Sequence, residues 1–198
     1  MVVSPRAVAA SGQTMAGGAS ALLLVANAGE SVGAPVRGLA FLAPRREDFP
    51  VNKTAARAGV TEAMVGASYR LSLSGEKTVS LSRAELLALP QHTARLPIAC
   101  VEGWTTTHRW TGVRLSELAA LAGVPRAATA FVRSLQPAGV LSKASLSGDA
   151  VADPDALLAL QVNGADLSLD HGYPARIIVP ALPGVHNTKW VASIEFAA

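Results

Sequence analysis

Short apolar runs, broken by turns and joined by connections too short for a parallel crossover, constrain this chain more than any other feature of its 198 residues. From Tyr69 to Leu73 apolar and polar side chains alternate, Ser74-Gly75-Glu76-Lys77 reads as a turn, and Val79 to Leu81 follows, which predicts a β-hairpin. Ser82, with Glu85 three residues on, gives the capping-box pattern of a short helix that turns Leu86, Leu87 and Leu89 inward and stops at Pro90. Leu96 to Val101 is an apolar run interrupted by Pro97, the pattern of a buried strand that delivers Cys100 to its end. Leu115, Leu118, Ala119 and Ala122 recur at helical spacing, so a second helix is expected over residues 116–122, with Gly123 as its stop. Phe131 to Leu135 reads as a strand, Asp155 to Leu160 as a helix opened by Pro154, and Arg176 to Val179 and Trp190 to Phe196 as two more strands. Parallel neighbours need a crossover of about a dozen residues or more, and most connections here are shorter. The expected fold class is therefore α+β, with mixed or antiparallel sheets and short helices, and a doubly wound nucleotide fold is disfavoured.

One boundary is readable. Ala43-Pro44-Arg45-Arg46-Glu47-Asp48-Phe49-Pro50 packs two prolines and four charges together and breaks any regular element, so residues 1–43 read as an N-terminal extension and residues 44–198 as the main domain. Within the extension, residues 20–28 suit a short buried strand. Its apolar centre, Leu22 to Val25, lies in a stretch about half as long as a membrane-spanning helix requires, and Arg6 alone precedes it, so no transmembrane segment or export signal is expected from it. The net charge is +3, but its basic residues alternate with acidic ones rather than forming a stripe, which disfavours a nucleic-acid partner and leaves a small anion held in a pocket as the better match.

The chain has a single cysteine, so no intramolecular disulfide and no multi-cysteine zinc or iron–sulfur site can form within it. Phosphate-loop, dinucleotide-fingerprint and Gly-x-Ser-x-Gly patterns are missing, and the histidines at 92, 108, 171 and 186 do not fall at zinc spacing. What remains is Ile98-Ala99-Cys100-Val101-Glu102-Gly103-Trp104 with Trp110 close behind, which puts two of the three tryptophans beside the thiol. On composition alone such a cysteine is more often an inert buried side chain than a ligand. A second cluster follows, Asp170-His171-Gly172-Tyr173-Pro174-Ala175-Arg176 and then Pro183-Gly184-Val185-His186-Asn187-Thr188-Lys189-Trp190. It reads equally as two turns with solvated charges, or as a set of His, Arg, Lys and backbone N–H donors lining an anion site.

Taken together these segments resemble the sulfite-oxidase-like molybdopterin oxidoreductases, a family that includes the periplasmic methionine sulfoxide reductase catalytic subunits and their actinobacterial relatives. The resemblance runs from about Phe49 to the end and keeps the family's order and spacing. It implies the sulfite-oxidase molybdopterin-binding fold and a molybdenum–molybdopterin cofactor whose single pterin dithiolene supplies two sulfurs. Cys100 would then be the protein's one thiolate ligand to the metal and the catalytic residue. The resemblance also implies cofactor contacts from Asn52, Ser134, His171, Arg176, Asn187, Thr188 and Lys189, and charge-assisted donors suit a bound organic phosphate. It implies two-electron oxo transfer on a small sulfoxide-like or sulfite-like substrate, a separate electron-transfer partner such as a membrane cytochrome, and an extracytoplasmic or membrane-associated location. The sequence departs from the family on the substrate side. Leu141-Ser142 stands where relatives carry Tyr-Arg, Ala181-Leu182 where they carry Asn-Arg, and Val101, Glu102 and Gly103 where sulfite oxidases place an arginine, which favours a neutral substrate over sulfite. Two other readings follow from the same residues. One is a degenerate, cofactor-free domain acting as an interaction module, and the other a thiol enzyme using Cys100 with His108 or His171 as base.

Overall fold

The hairpin expected from the alternation at residues 69–81 is present, and two five-stranded sheets are built around the same logic of short strands and tight turns. The computed structural model describes residues 49–100 and 103–198, so the strand expected at 20–28 and the boundary near 44 lie outside the described residues. Helices α1 (Ala55–Ala58) and α2 (Glu62–Val65) come first. The first sheet has the order β2–β1–β10–β5–β6, from β1 (Leu71–Ser74), β2 (Thr78–Leu81), β5 (Thr129–Ser134), β6 (Lys143–Ser147) and β10 (Val191–Ala197). Among the described residues only β1 and β10 pair in parallel, with Leu73 opposite Ile194, and the long excursion between them supplies the crossover that parallel pairing requires. The second sheet is antiparallel: β3 (His92–Ala99), β4 (Thr105–Arg114) and β7 (Leu157–Val162) in order, with β8 (Ala165–Asp166) and β9 (Arg176–Ile178) both on the far side of β7. The fold is α+β with one mixed and one antiparallel sheet, as expected.

The helix α3 (Arg83–Ala88) carries the full capping box: Ser82 Oγ accepts from Glu85 N–H, and the Glu85 carboxylate accepts from Ser82 N–H at 2.7 Å. Leu86 is fully buried and Leu89 half-buried, but Leu87 is 37% exposed, because on a helix positions 86 and 89 share a face and position 87 points away from it. Helix α4 (Leu115–Leu121) follows its expectation and buries Leu115, Leu118 and Ala119.

The helix expected over Asp155 to Leu160 is wrong, because that segment is the central strand β7. Its four leading residues, Leu157 to Leu160, are all buried. Leu158 and Leu160 join the main core between the sheets, while Leu157 and Ala159 join a second cluster with Leu96, Ile98, Trp110 and Ile178 on the opposite face. A strand covered on both faces loses the polar alternation that identifies strands, and a short apolar run is then indistinguishable from a helix by period. The helix in this region is instead α5 (Gly148–Ala152), capped by Ser147 Oγ accepting from Ala150 N–H. Each fully buried leucine of these clusters contributes about 1.5–3 kcal/mol relative to exposure, which holds both faces of the second sheet in place. That sheet positions the site: the β3–β4 hairpin tip holds Cys100, and β9, on the other side of β7, begins at Arg176.

Candidate functional site

Five segments far apart in sequence meet at one cleft, lined by Phe49, Asn52 and Lys53, by Ile98, Cys100 and Trp104, by Gln136 and Leu141, by His171 and Arg176, and by Gly184 to Trp190 except His186. Cys100 sits one residue past β3, where its N–H donates to the Trp104 carbonyl at 2.8 Å and closes the hairpin loop. The strand and the loop thus do what the apolar run implied: they carry a thiol out of the core to a half-buried position at the cleft.

The cationic side is built from backbone carbonyls. Arg176 is 5% exposed; its Nη1 donates to the His171 carbonyl at 2.9 Å and its Nη2 to the Asn187 carbonyl at 3.3 Å. Its guanidinium also lies 5.3 Å from the Trp110 ring centroid. Lys189 Nζ donates to the carbonyls of Lys53 at 2.6 Å and Asp170 at 2.9 Å. Gly172, at φ +111°, lies between the two, and a Cβ there would come within 3.1 Å of Arg176 Cβ and 3.2 Å of Lys189 Cβ, so only glycine lets both cations stand this close. Carbonyl acceptors bring no full opposite charge, and the Asp170 carboxylate offsets only part of what burial and Arg176 impose on Lys189. Burial pushes Arg176 down to about 9, and burial together with the Arg176 charge pushes Lys189 down to about 7.

Around the same cleft four buried polar atoms have no hydrogen-bond partner among the described residues: Arg176 Nε, Asn187 Nδ2, Thr188 Oγ1 and Gln136 Oε1. An orphaned buried polar group costs about 1–3 kcal/mol, so a concentration of them beside two buried cations is the mark of a ligand site rather than of a structural core. Three can donate, which suits an anion with several oxygens. No group of three or more His, Cys, Asp or Glu is gathered for a metal among the described residues, so a metal at Cys100 would take its other ligands from a bound cofactor.

Asn52, His171, Arg176, Asn187, Thr188 and Lys189 are all brought to the cleft with Cys100, while Ser134 does not line it. The Ser134 hydroxyl donates to the Lys189 carbonyl at 2.7 Å and accepts from Gln136 N–H at 3.0 Å, so it positions the lysine and the glutamine from behind. His171 lines the cleft with both ring nitrogens engaged. Nε2–H donates to the Phe49 carbonyl at 3.0 Å, which leaves Nδ1 to accept from Ser168 Oγ at 2.8 Å. Burial lowers its pKa, and the neutral ring serves as a wall and as the carbonyl platform for Arg176. His108 does not line the cleft; it lies in a tilted ring contact with Phe49 and is bonded to Thr106 and Asn163, which removes it as a base for Cys100. Phe49, Trp104 and Gln136 were not anticipated as site residues; of these only Trp104 carried a signal, its place beside the thiol. Leu141, expected on the substrate side, does reach the cleft, whereas Leu182 packs on the main core, so of the departures at 141–142 and 181–182 only the first changes the cleft wall.

The Lys189 shift sets an expected pH dependence. Between about 7 and the ordinary 10.5 the unfolded chain holds a proton that folded Lys189 has released, so ligand-free stability rises with pH across that window. Binding an anion needs the charged lysine, so affinity falls as pH rises through the same window. Melting of ligand-free protein with and without pyrophosphate, in steps from about pH 6 to about pH 10, should show the ligand-free midpoint rising relative to Lys189→Met while the pyrophosphate increment shrinks. An increment independent of pH would remove Lys189 from the anion site.

Residues 58–198 match the model of the oxidoreductase molybdopterin-binding domain family. The chain is 32% identical over 157 residues to rat mitochondrial sulfite oxidase, an alignment covering 65% of this chain and 29% of the relative. It is 31% identical over 160 residues to an NADH nitrate reductase of Volvox carteri, covering 65% and 18% of the two. The chain thus spans less than a third of the length of these relatives. Among solved structures, the sulfane dehydrogenase SoxCD of Paracoccus pantotrophus superposes with a TM-score of 0.60 at 23% identity, over 88% of this chain and 57% of that one, a likeness of fold.

Proposed function

The chain belongs to the oxidoreductase molybdopterin-binding domain family, and on that premise we propose that its cleft holds a molybdenum pterin, with Cys100 as the protein's thiolate ligand, and serves two-electron oxo transfer on a small sulfoxide-like or sulfite-like substrate. The observation that carries this reading is the joining, in one cleft, of the single cysteine with two buried cations and three partnerless buried donors. When bound, the cofactor supplies a metal that gives or takes an oxygen atom together with two electrons. Every other part of the work belongs to the chain.

Arg176 and Lys189, fixed by backbone carbonyls, hold the phosphate of the pterin with donors that need no rearrangement, and Asn187 Nδ2 and Thr188 Oγ1 gain partners when it binds. Their charges also favour the thiolate form of Cys100, since each cation and that sulfur lie close enough to stabilise one another. Asn52 and Lys53 close the cleft from the α1 side, held there by Asp170 Oδ1, which accepts from Ala55 N–H at 2.8 Å. Ile98, Trp104, Leu141 and Val185 make an apolar wall on the same cleft that limits water around the reacting atoms and favours an uncharged substrate. The two electrons come from or go to a separate carrier, for which a membrane cytochrome is suited, and the working location is extracytoplasmic or membrane-associated. No helix of the described residues is long and apolar enough to cross a membrane.

Molybdenum and pterin analysis of the chain produced in a host able to make the cofactor tests the proposal. Near-equimolar metal, pterin and protein is the expected result. Neither component bound, with cofactor in ample supply, would overturn it and leave the cofactor-free interaction module as the better reading.

A further inference from the structure

The turn at residues 183–189 carries Asn187, Thr188 and Lys189, and its first helical residue presses on the end of β3. A Cβ placed on Gly184 would lie 2.5 Å from the Ala99 carbonyl oxygen and 3.4 Å from both the Ala99 carbonyl carbon and Cys100 Cα. The obstacle is backbone on both sides, so no rotamer change relieves it, and any side chain at 184 must push the turn and the Ala99–Cys100 peptide apart. Gly184 φ does not fall in the left-handed region, so the residue is needed here for its lack of a side chain and not for its backbone angles. Several fixed contacts resist movement on the turn side: Asn187 Oδ1 accepts from Val179 N–H at 2.9 Å, the Thr188 carbonyl accepts from Ile177 N–H at 2.9 Å, and Lys189 Nζ is held by two carbonyls. The strand side is fixed as well, by the β3–β4 ladder that ends at Ala99 opposite Thr105, by Thr105 Oγ1 donating to the Ile98 carbonyl at 2.9 Å and by Cys100 N–H donating to the Trp104 carbonyl at 2.8 Å. Whichever side yields, a side chain at 184 widens the separation between the turn and Cys100.

We propose that Gly184 is a positioning residue, its bare α-carbon seating the phosphate-binding turn against the Ala99–Cys100 peptide and so setting the distance between the cofactor's anionic anchor and the thiolate. The inference rests on the proposed cofactor reading. It makes the two ends of the cleft one rigid unit: a cofactor of fixed length, anchored by Arg176 and Lys189, meets the sulfur only if the turn and the strand end are in van der Waals contact.

The test is Gly184→Ala, produced with the cofactor, with pterin content, molybdenum content and the sulfur shell of molybdenum by X-ray absorption read on the same sample. Pterin content should stay within about twofold of the wild type, because Arg176 and Lys189 are untouched, while molybdenum loses one sulfur neighbour in most of the molecules. His186→Ala, in the same turn but outside the cleft lining, should keep the full shell. A full sulfur shell in Gly184→Ala overturns the proposal, as does, in protein that folds, a joint loss of pterin and metal in step. Should Gly184→Ala fail to fold, Pro183→Gly replaces it. That change adds no atom and frees the turn to drift from Ala99, so it must lower the sulfur count without unfolding, and an unchanged count refutes the coupling. Wild-type protein without molybdenum would instead reject the cofactor reading itself.

Discussion

Cys100→Ser is expected to abolish oxo transfer and to remove one sulfur from the metal while leaving pterin bound. Serine keeps the shape of the side chain, so the hairpin loop and its Cys100–Trp104 backbone bond are unaffected. What changes is the donor, because a hydroxyl is harder, less polarisable and far harder to deprotonate than a thiol, and the field of Arg176 and Lys189 that favours a thiolate is too weak to ionise an alcohol. The pterin phosphate still meets Arg176, Lys189, Asn187 and Thr188, so retention should fall by less than about tenfold, the equivalent of one neutral hydrogen bond. Steady-state oxo transfer, pterin content and X-ray absorption on one preparation check this. Unchanged activity with an unchanged metal spectrum would show that Cys100 is an inert neighbour, the reading that composition alone favours.

What the sequence made legible was decided by short range. The capping box at Ser82 and Glu85 and the hairpin at residues 71–81 each need partners only a few residues apart, and each formed as expected. Strand β7 was missed because both of its faces are covered by distant elements, which erases the alternation on which a strand reading depends. Strand β4 left a weak trace for a related reason: Thr105 and Thr106 are both buried and Thr107 is exposed, so neither burial nor hydrophobicity alternates at its start. The cleft divides along the same line. Cys100, Arg176 and Lys189 stand in motifs whose chemistry is visible residue by residue. Phe49 and Gln136 do not, since Phe49 becomes a wall only by stacking at 3.8 Å on His171, 122 residues away, and Gln136 is held by a Ser134 hydroxyl that is itself fixed on the Lys189 carbonyl. Ser134 shows the opposite error in kind: a hydroxyl close to the site, but turned by the strand toward the Lys189 carbonyl and acting through it.

Arg176→Met should lower cofactor affinity by about ten- to a hundredfold, the loss of one charge-assisted hydrogen bond of about 1.5–3 kcal/mol. The ligand-free fold responds differently. Removing the guanidinium relieves a buried charge whose Nε has no partner and which burial has pushed down to about 9, but it also strips donors from the His171 and Asn187 carbonyls. These effects oppose one another, and the apolar methionine fills the space between Phe49 and Trp110, so the ligand-free melting point should move far less than the occupancy. A structural arginine gives the reverse pattern, a large fall in melting point with occupancy following the folded fraction. The substitution has a second signature at a distance. The Arg176 charge is one of the causes that lower Lys189, so without it Lys189 should hold its proton to higher pH, and the pH at which added pyrophosphate ceases to stabilise the protein should move upward from about 7. Occupancy under limiting cofactor, measured beside pyrophosphate-dependent melting across pH, reads both effects. Full molybdenum content together with an unmoved pH transition would place the phosphate away from Arg176.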